Sequence, residues 1–217
     1  ADHLRDFVVD VLRRELGPRS IHCSNDLPAR VIERLPTGDE TIGDPDPSAT
    51  ITESGLRFRV DPRAGQKTGF FLDQRDNRRA LAAFCAGRRV LDLCCNSGGF
   101  AVHAKALGGA EDVTGVDLDE RALALARQNA NLNQARVRFV QADLFPWLRD
   151  MIAAGQRFDV VVLDPAKQTR DREEIDYALK RYLDMNRLAL QAVAPGGMFL
   201  TCSCTGLVSE EAFLDTV

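Results

Sequence analysis

Between positions 90 and 201 five short apolar runs recur, each separated from the next by a segment of helical character. The runs fall at 90–93, 113–116, 137–140, 158–163 and 198–201, and the segments between them predict helices near 100–107, 120–131, 146–153 and 175–193. Parallel strands need long crossovers, usually helical, so this alternation points to a parallel sheet covered by helices on both faces. The runs are almost continuously apolar, as strands buried on both faces must be. The fold class expected is α/β, a doubly wound Rossmann-like sheet. Residues 1–62 differ in character. They open with an amphipathic helix over 2–16, stopped by Gly17-Pro18. Short irregular pieces follow, with an acidic Pro-containing loop at 43–48 that reads as turns or disorder and an alternating strand at 56–60. This predicts a small α+β domain over 1–62 and a larger one over 63–217. Asp73 is placed to cap a helix running to about Ala86.

The stretch Val90-Leu91-Asp92-Leu93-Cys94-Cys95-Asn96-Ser97-Gly98-Gly99-Phe100 reads as a strand, a tight turn and a helix start. A small-residue turn there lets backbone approach a ligand at the carboxyl end of a strand. It lacks the G-x-G-x-x-G spacing of a dinucleotide site. An S-adenosylmethionine site calls instead for an acid at the end of the first strand, a small-residue loop, and an acid at the end of the second. Asp92 and Asp117 supply the acids, one strand–helix–strand unit apart. An acid at the second tip can accept both ribose hydroxyls. Asn96 stands where such loops often have Gly, and Asn tolerates a left-handed backbone. Asp143 follows the third strand, placed to accept from an adenine amino group. Each acid alone reads equally well as a cap or turn residue; at successive strand ends they favour a nucleoside cofactor.

Strand four ends in Asp164-Pro165-Ala166-Lys167, and strand five in Thr201-Cys202-Ser203-Cys204-Thr205-Gly206. Ligands of open α/β sheets bind at these carboxyl ends. A thiol there has a specific use. C5 of a pyrimidine is a poor nucleophile, and adding a thiolate to C6 makes C5 enamine-like, splitting one hard step into two. Asp164 is a candidate to act at N3, and Lys167 or a helix N-terminus to lower the thiol pKa. The plainer reading makes both cysteines small core residues. Alternation points Cys202 and Cys204 the same way, so spacing does not choose between them.

The net charge of −4 excludes a global field for nucleic acid. Residues 57–89 carry nine basic side chains against three acids, either a solvated face or a phosphate-contacting patch. The six cysteines show no C-x-x-C and the three histidines are scattered, which argues against a metal site. No apolar run is long enough to span a bilayer and no signal peptide is evident, so no membrane partner and a cytoplasmic location are expected. The chain begins without Met and stops after a helix start, as a fragment would.

From about Leu56 to Val217 the chain resembles the large-subunit ribosomal RNA methyltransferase I family, which methylates cytosine C5 in 23S rRNA. The resemblance rests on residues 65–78 (G-Q-K-T-G-F-F-L-D-Q-R-D-N-R), the Asp92–Phe100 loop, Val116-Asp117 and Asn129-Ala130-Asn131-Leu132-Asn133. It rests too on Asp164-Pro165-Ala166-Lys167, with Ala166 in place of a usual second Pro, and on residues 201–207. It implies the seven-stranded class I methyltransferase fold, whose last hairpin this chain would lack. It also implies that residues 1–62 are the central domain that follows an RNA-binding PUA domain. The family's catalytic thiol falls on Cys204; Cys202 aligns with a position that is often apolar. The expected catalytic set is Cys204, Asp164 and Lys167. The set expected to hold S-adenosylmethionine is Phe71, Gln74, Arg75, Asp92, Cys94, Asn96, Ser97, Gly98, Asp117, Leu118, Ala142, Asp143 and Asp164. The expected partner is large-subunit rRNA, with homodimerisation a further expectation. Two other readings fit the same residues: a purine N-methyltransferase in which Asp164-Pro165 grips the amino group and Cys204 is structural, and a non-catalytic nucleoside-binding assembly factor.

Overall fold

Each of the five expected apolar runs forms a strand. In the computed structural model, which describes residues 2–25, 28–63 and 69–217, they form one parallel sheet. Residues 65–68 of the long G-Q-K-T-G-F-F run, Lys67 among them, lie outside the described residues.

The described chain falls into two units: Ala1–Ile51 with Arg59–Phe71, and Thr52–Phe58 with Leu72–Val217. The first contains α1 (Arg5–Leu16), ended by Gly17 at φ 54°, whose N–H donates to Arg13 O at 3.1 Å. Next come β1 (Ser20–Cys23), a short α2 (Pro28–Ile32) and β2 (Glu40–Gly43), which pairs antiparallel with β1. Gly43 has φ 97°, and a Cβ there would lie 2.5 Å from Arg19 O, so the ladder closes only on glycine. The 43–48 loop is an ordered turn. Asp46 N–H donates to Asp44 Oδ1 at 3.0 Å and Ser48 N–H to Asp46 Oδ1 at 3.1 Å, each aspartate imitating a backbone turn. The hairpin of β3 (Ala49–Glu53) and β4 (Leu56–Val60) turns on Ser54 and Gly55, both left-handed at φ 52° and 81°. Residues 20–60 thus hold four strands: β4 lies where the alternation at 56–60 places it, and the other three have only four or five residues each, too few to show a period.

The second unit contains α3 (Arg75–Ala82), β5 (Arg89–Leu93), α4 (Gly99–Val102), β6 (Asp112–Asp117), α5 (Glu120–Leu132), β7 (Arg138–Gln141), α6 (Leu144–Ala153), β8 (Phe158–Leu163), α7 (Ile175–Gln191), β9 (Val193–Thr201) and α8 (Glu210–Leu214). The strand order is β7-β6-β5-β8-β9, every pair parallel. Order reverses at β5, so the crevice opens beyond the carboxyl ends of β5, β6 and β8. Alternate side chains of the apolar strands serve opposite faces. Leu91, Leu93, Val161 and Leu163 pack with Leu148, Tyr182 and Met185. Val90, Val160 and Val162 pack with Leu81, Phe100 and Ala104 on the other face.

Several boundaries move from their expected places. α3 stops at Ala82 rather than 86, and its N-cap position is Gln74, whose side chain makes no capping bond. α4 continues into a π-helical turn, His103–Leu107. α6 begins two residues before Pro146, because Asp143 caps it and a proline is tolerated in a first turn, where N–H groups have no helical partner. β9 starts five residues before 198: its register jumps from Phe158↔Val193 to Val160↔Met198, a bulge that places Gly197 where a Cβ would be 2.8 Å from Asp159 O.

Candidate functional site

The turn after β5 is wound by three left-handed residues: Cys94 at φ 59°, Asn96 at φ 45° and Gly98 at φ 78°. Its backbone is tied down at each step. Cys95 N–H donates to Val116 O at 3.0 Å and Asn96 N–H to Asp117 Oδ2 at 2.8 Å. Ser97 N–H donates to Asn96 Oδ1 at 2.7 Å, and Ser97 O accepts from the buried Asn129 Nδ2 at 3.0 Å. A Cβ on Gly98 would lie 3.1 Å from Ala126 Cβ and 3.2 Å from Phe139 Cζ, which leaves no room for a larger residue.

Asp92 supports the loop from beneath. It is fully buried; Oδ2 accepts from Ala101 N–H at 2.9 Å, while Oδ1 has no hydrogen-bond partner among the described residues. Burial, reinforced by Asp164 and Asp117, pushes its pKa up to about 8. Asp117, at the tip of β6, receives Asn96 N–H on one oxygen and Asp119 N–H on the other, at 2.9 Å. Leu118 beside it is 66% exposed. Ala142 N–H donates to Asp117 O at 3.0 Å, bringing the β7 tip alongside. Asp143 caps α6, its Oδ1 accepting from Phe145 N–H at 2.8 Å.

At the tips of β8 and β9, Asp164 Oδ2 accepts from Gln74 Nε2 at 3.2 Å, and Gln74 Oε1 from Asn77 Nδ2 at 2.7 Å. Cys202 is half-buried; desolvation and then Asp164 push its thiol up to about 12, against a hydrogen bond with Gln74. Cys204 is exposed, its Sγ 3.8 Å from Pro165 O. The two loops are pinned together by Thr205, whose hydroxyl accepts from Gln168 N–H at 3.1 Å and meets Tyr182 OH at 2.7 Å. Lys167 is exposed on the 164–168 loop.

Asp92, Cys94, Asn96, Ser97 and Gly98 therefore lie in and directly beneath one loop, with Asp117, Leu118, Ala142 and Asp143 at the neighbouring tips, and Gln74 hydrogen-bonds both Asp164 and Cys202. Arg75 is exposed with Asp76 at 3.7 Å, and Phe71 is half-buried in the other unit. Desolvation pushes the thiol of the half-buried Cys94 up to about 12, so what this residue gives the loop is its backbone. Sequence reasoning missed Tyr182, the hub beneath the Cys204 loop, and the buried Glu53, Arg78 and His103. Arg78 had one signal, its place in the 65–78 run. The basic surplus of residues 57–89 is partly consumed within the molecule: Arg78 is buried against Glu53, Arg63 pairs with Asp61 and Asp46, and Arg89 lies over Phe158. A groove of about 630 Å³ lined by Arg127, Arg136 and Arg138 sits at the amino ends of β6 and β7, away from the loop. No group of three or more His, Cys, Asp or Glu among the described residues is placed to hold a metal, and no helix among them is long and apolar enough to cross a membrane.

A switch in strand order, a left-handed loop at it and an acid at the next tip are the parts of a nucleoside-cofactor α/β enzyme. The chain belongs to the S-adenosylmethionine-dependent methyltransferase family, which matches residues 36–216, and S-adenosylmethionine is its cofactor. Among curated proteins it is 41% identical to ribosomal RNA large subunit methyltransferase I of Aeromonas hydrophila, over 98% of this chain and 55% of that protein. It is 39% identical to the protein of the same name from Aeromonas salmonicida, with the same coverage. The chain thus spans about half the length of these relatives. Among solved structures, SMU.776 complexed with SAH superposes with a TM-score of 0.82 at 24% identity, covering 99% of this chain and 56% of that one.

Proposed function

We propose that this chain is the catalytic part of a large-subunit rRNA methyltransferase that methylates C5 of a cytosine through the thiol of Cys204. The observation that carries the reading is the contrast between the two thiols after β9. Cys204 is exposed beside the Asp164 loop, whereas Cys202 is half-buried with its pKa pushed up to about 12. The names of the 41% and 39% identical relatives supply the substrate class. The residues present fit the cofactor. Asp117 has carboxylate lone pairs for ribose hydroxyls, exposed Leu118 and half-buried Ala142 offer apolar surface for a purine, and the left-handed 94–98 loop sits at the tip of β5 beside them. When bound, S-adenosylmethionine supplies an electrophilic methyl group.

The chain's own residues do the rest. The target cytosine must leave its stack to reach the loop. The Cys204 thiolate adds to C6, forming the S–C6 bond and moving the ring electrons toward C5. Asp164, oriented by Gln74, faces N3, and Lys167 on the same loop favours the thiolate. After C5 is alkylated, a solvent base takes the C5 proton, the C–H electron pair returns to the ring and the S–C6 bond breaks, freeing the thiolate. The test is methyl transfer to unmodified large-subunit rRNA. Cys204→Ala abolishes turnover while Cys202→Ala retains most of it. Turnover surviving in Cys204→Ala would favour purine N-methylation instead.

A further inference from the structure

Glu53, the last residue of β3, is buried against Arg78 of α3, with side chains 2% and 4% exposed. The pair is bidentate: Arg78 Nε donates to Glu53 Oε1 at 2.7 Å and Nη2 to Oε2 at 3.0 Å. Burying such a pair contributes little net stability, because desolvation offsets the attraction. What this pair does is hold other groups in place. Arg78 lies flat under Gly99, the first residue of α4; a Cβ there would be 3.0 Å from Arg78 Cδ and 3.1 Å from Nη1. His103 donates Nδ1–H to Gly99 O at 2.8 Å, since a carbonyl only accepts; its Nε2, 3.5 Å from Glu53 Oε1, has no hydrogen-bond partner among the described residues. Phe58 of β4 stacks on the imidazole, 5.4 Å between centroids and 8° from parallel. Gly99 directly follows the 94–98 loop and is fixed on its Cα side and at its carbonyl by the two side chains that face Glu53.

The same arginine reaches the other half of the site. Gln74 is the N-cap residue of α3, four residues before Arg78, at the start of the helix that Arg78 anchors. It is Gln74 that donates to Asp164 Oδ2. Fixing Arg78 therefore fixes the rotation of α3 and the reach of Gln74.

We infer that Glu53 is a positioning residue for the methyltransferase site: through Arg78 it holds the loop at Gly99 in its cofactor-binding form, and through α3 it holds Gln74 on Asp164. It touches neither cofactor nor substrate itself.

The experiment measures S-adenosylhomocysteine affinity by titration calorimetry on Glu53→Gln, Arg78→Lys and Asp117→Asn, each alongside a thermal melt. Glu53→Gln keeps the side-chain shape and removes its charge. At a temperature where the variant is fully folded, its dissociation constant rises at least tenfold, and that of Arg78→Lys rises severalfold. A purely structural role lowers the melting temperature and leaves affinity within twofold; that result overturns the inference. Should Glu53→Gln not fold, Arg78→Lys decides on the same criterion. Asp117→Asn tests the cofactor site directly. If it alone binds normally, the cofactor assignment at the β6 tip fails, whatever becomes of Glu53.

Discussion

At the scale of single residues, burial separates side chains of identical type. Cys85, Cys94, Cys95 and Cys202 all have thiols pushed up by desolvation, to about 11 for Cys85 and about 12 for Cys94 and Cys202. Cys204 is the exposed one of the six. Iodoacetamide applied to the native protein at pH 8 should label Cys204 well before any of those four, read by peptide mass spectrometry; equal labelling of Cys202 and Cys204 would contradict this account. Asp92 carries a pH dependence with a definite sign. Its folded pKa of about 8 lies above the ordinary value of about 3.9, so folding takes up a proton between those limits. Stability falls as pH rises through that window, by up to about 1.4 kcal/mol per unit, and levels off above it. Asp92→Asn removes this component. Urea unfolding at pH 5, 6, 7 and 8 should give a flatter profile for the variant than for wild type, and parallel profiles would count against a buried, protonated Asp92.

At the scale of elements, the loop after β5 is shaped by what packs under it. Gly115 of β6 faces Phe139: a Cβ would lie 2.8 Å from its ring and 3.0 Å from Cys95 Sγ. Gly115→Ala should cost about 1–3 kcal/mol in chemical denaturation, as overpacking does, and weaken S-adenosylhomocysteine binding through Cys95. Asp143→Ala removes a helix cap and should cost about 1 kcal/mol whatever its role toward adenine. The elements legible in the sequence were those with a strong period. The parallel strands announced themselves because both faces are apolar, and the turn at 94–98 because Asn96 and Gly98 favour left-handed backbone. The bulged start of β9 was hidden by the Pro195-Gly196-Gly197 stretch, which falls in the irregularity between the paired residues Val193 and Met198. Of the four strands between residues 20 and 60, β4 showed its alternation and the other three were too short to declare themselves. Glu53 was illegible for a different reason. Its partner lies 25 residues away on another element, and pairing across that distance leaves no local pattern.

At the scale of the whole molecule, the sheet gathers the chemistry-bearing residues at one end. Parallel strands bring Asp92, Asp117, Asp164 and Cys204 to the carboxyl edge although up to 112 residues separate them along the chain. The net charge of −4 supplies no general attraction for RNA, and several arginines of residues 57–89 are engaged internally. Recognition of rRNA on this reading depends on local contacts around the crevice, not on a field. The central claim is covalent catalysis by Cys204, and one measurement tests it most directly. The protein is incubated with S-adenosylmethionine and large-subunit rRNA containing 5-fluorocytosine, whose fluorine blocks the final elimination. The account predicts a denaturation-stable protein–RNA adduct in wild type and in Cys202→Ala, absent in Cys204→Ala. Methyl transfer to ordinary rRNA with no such adduct would contradict it and return both cysteines to a structural role.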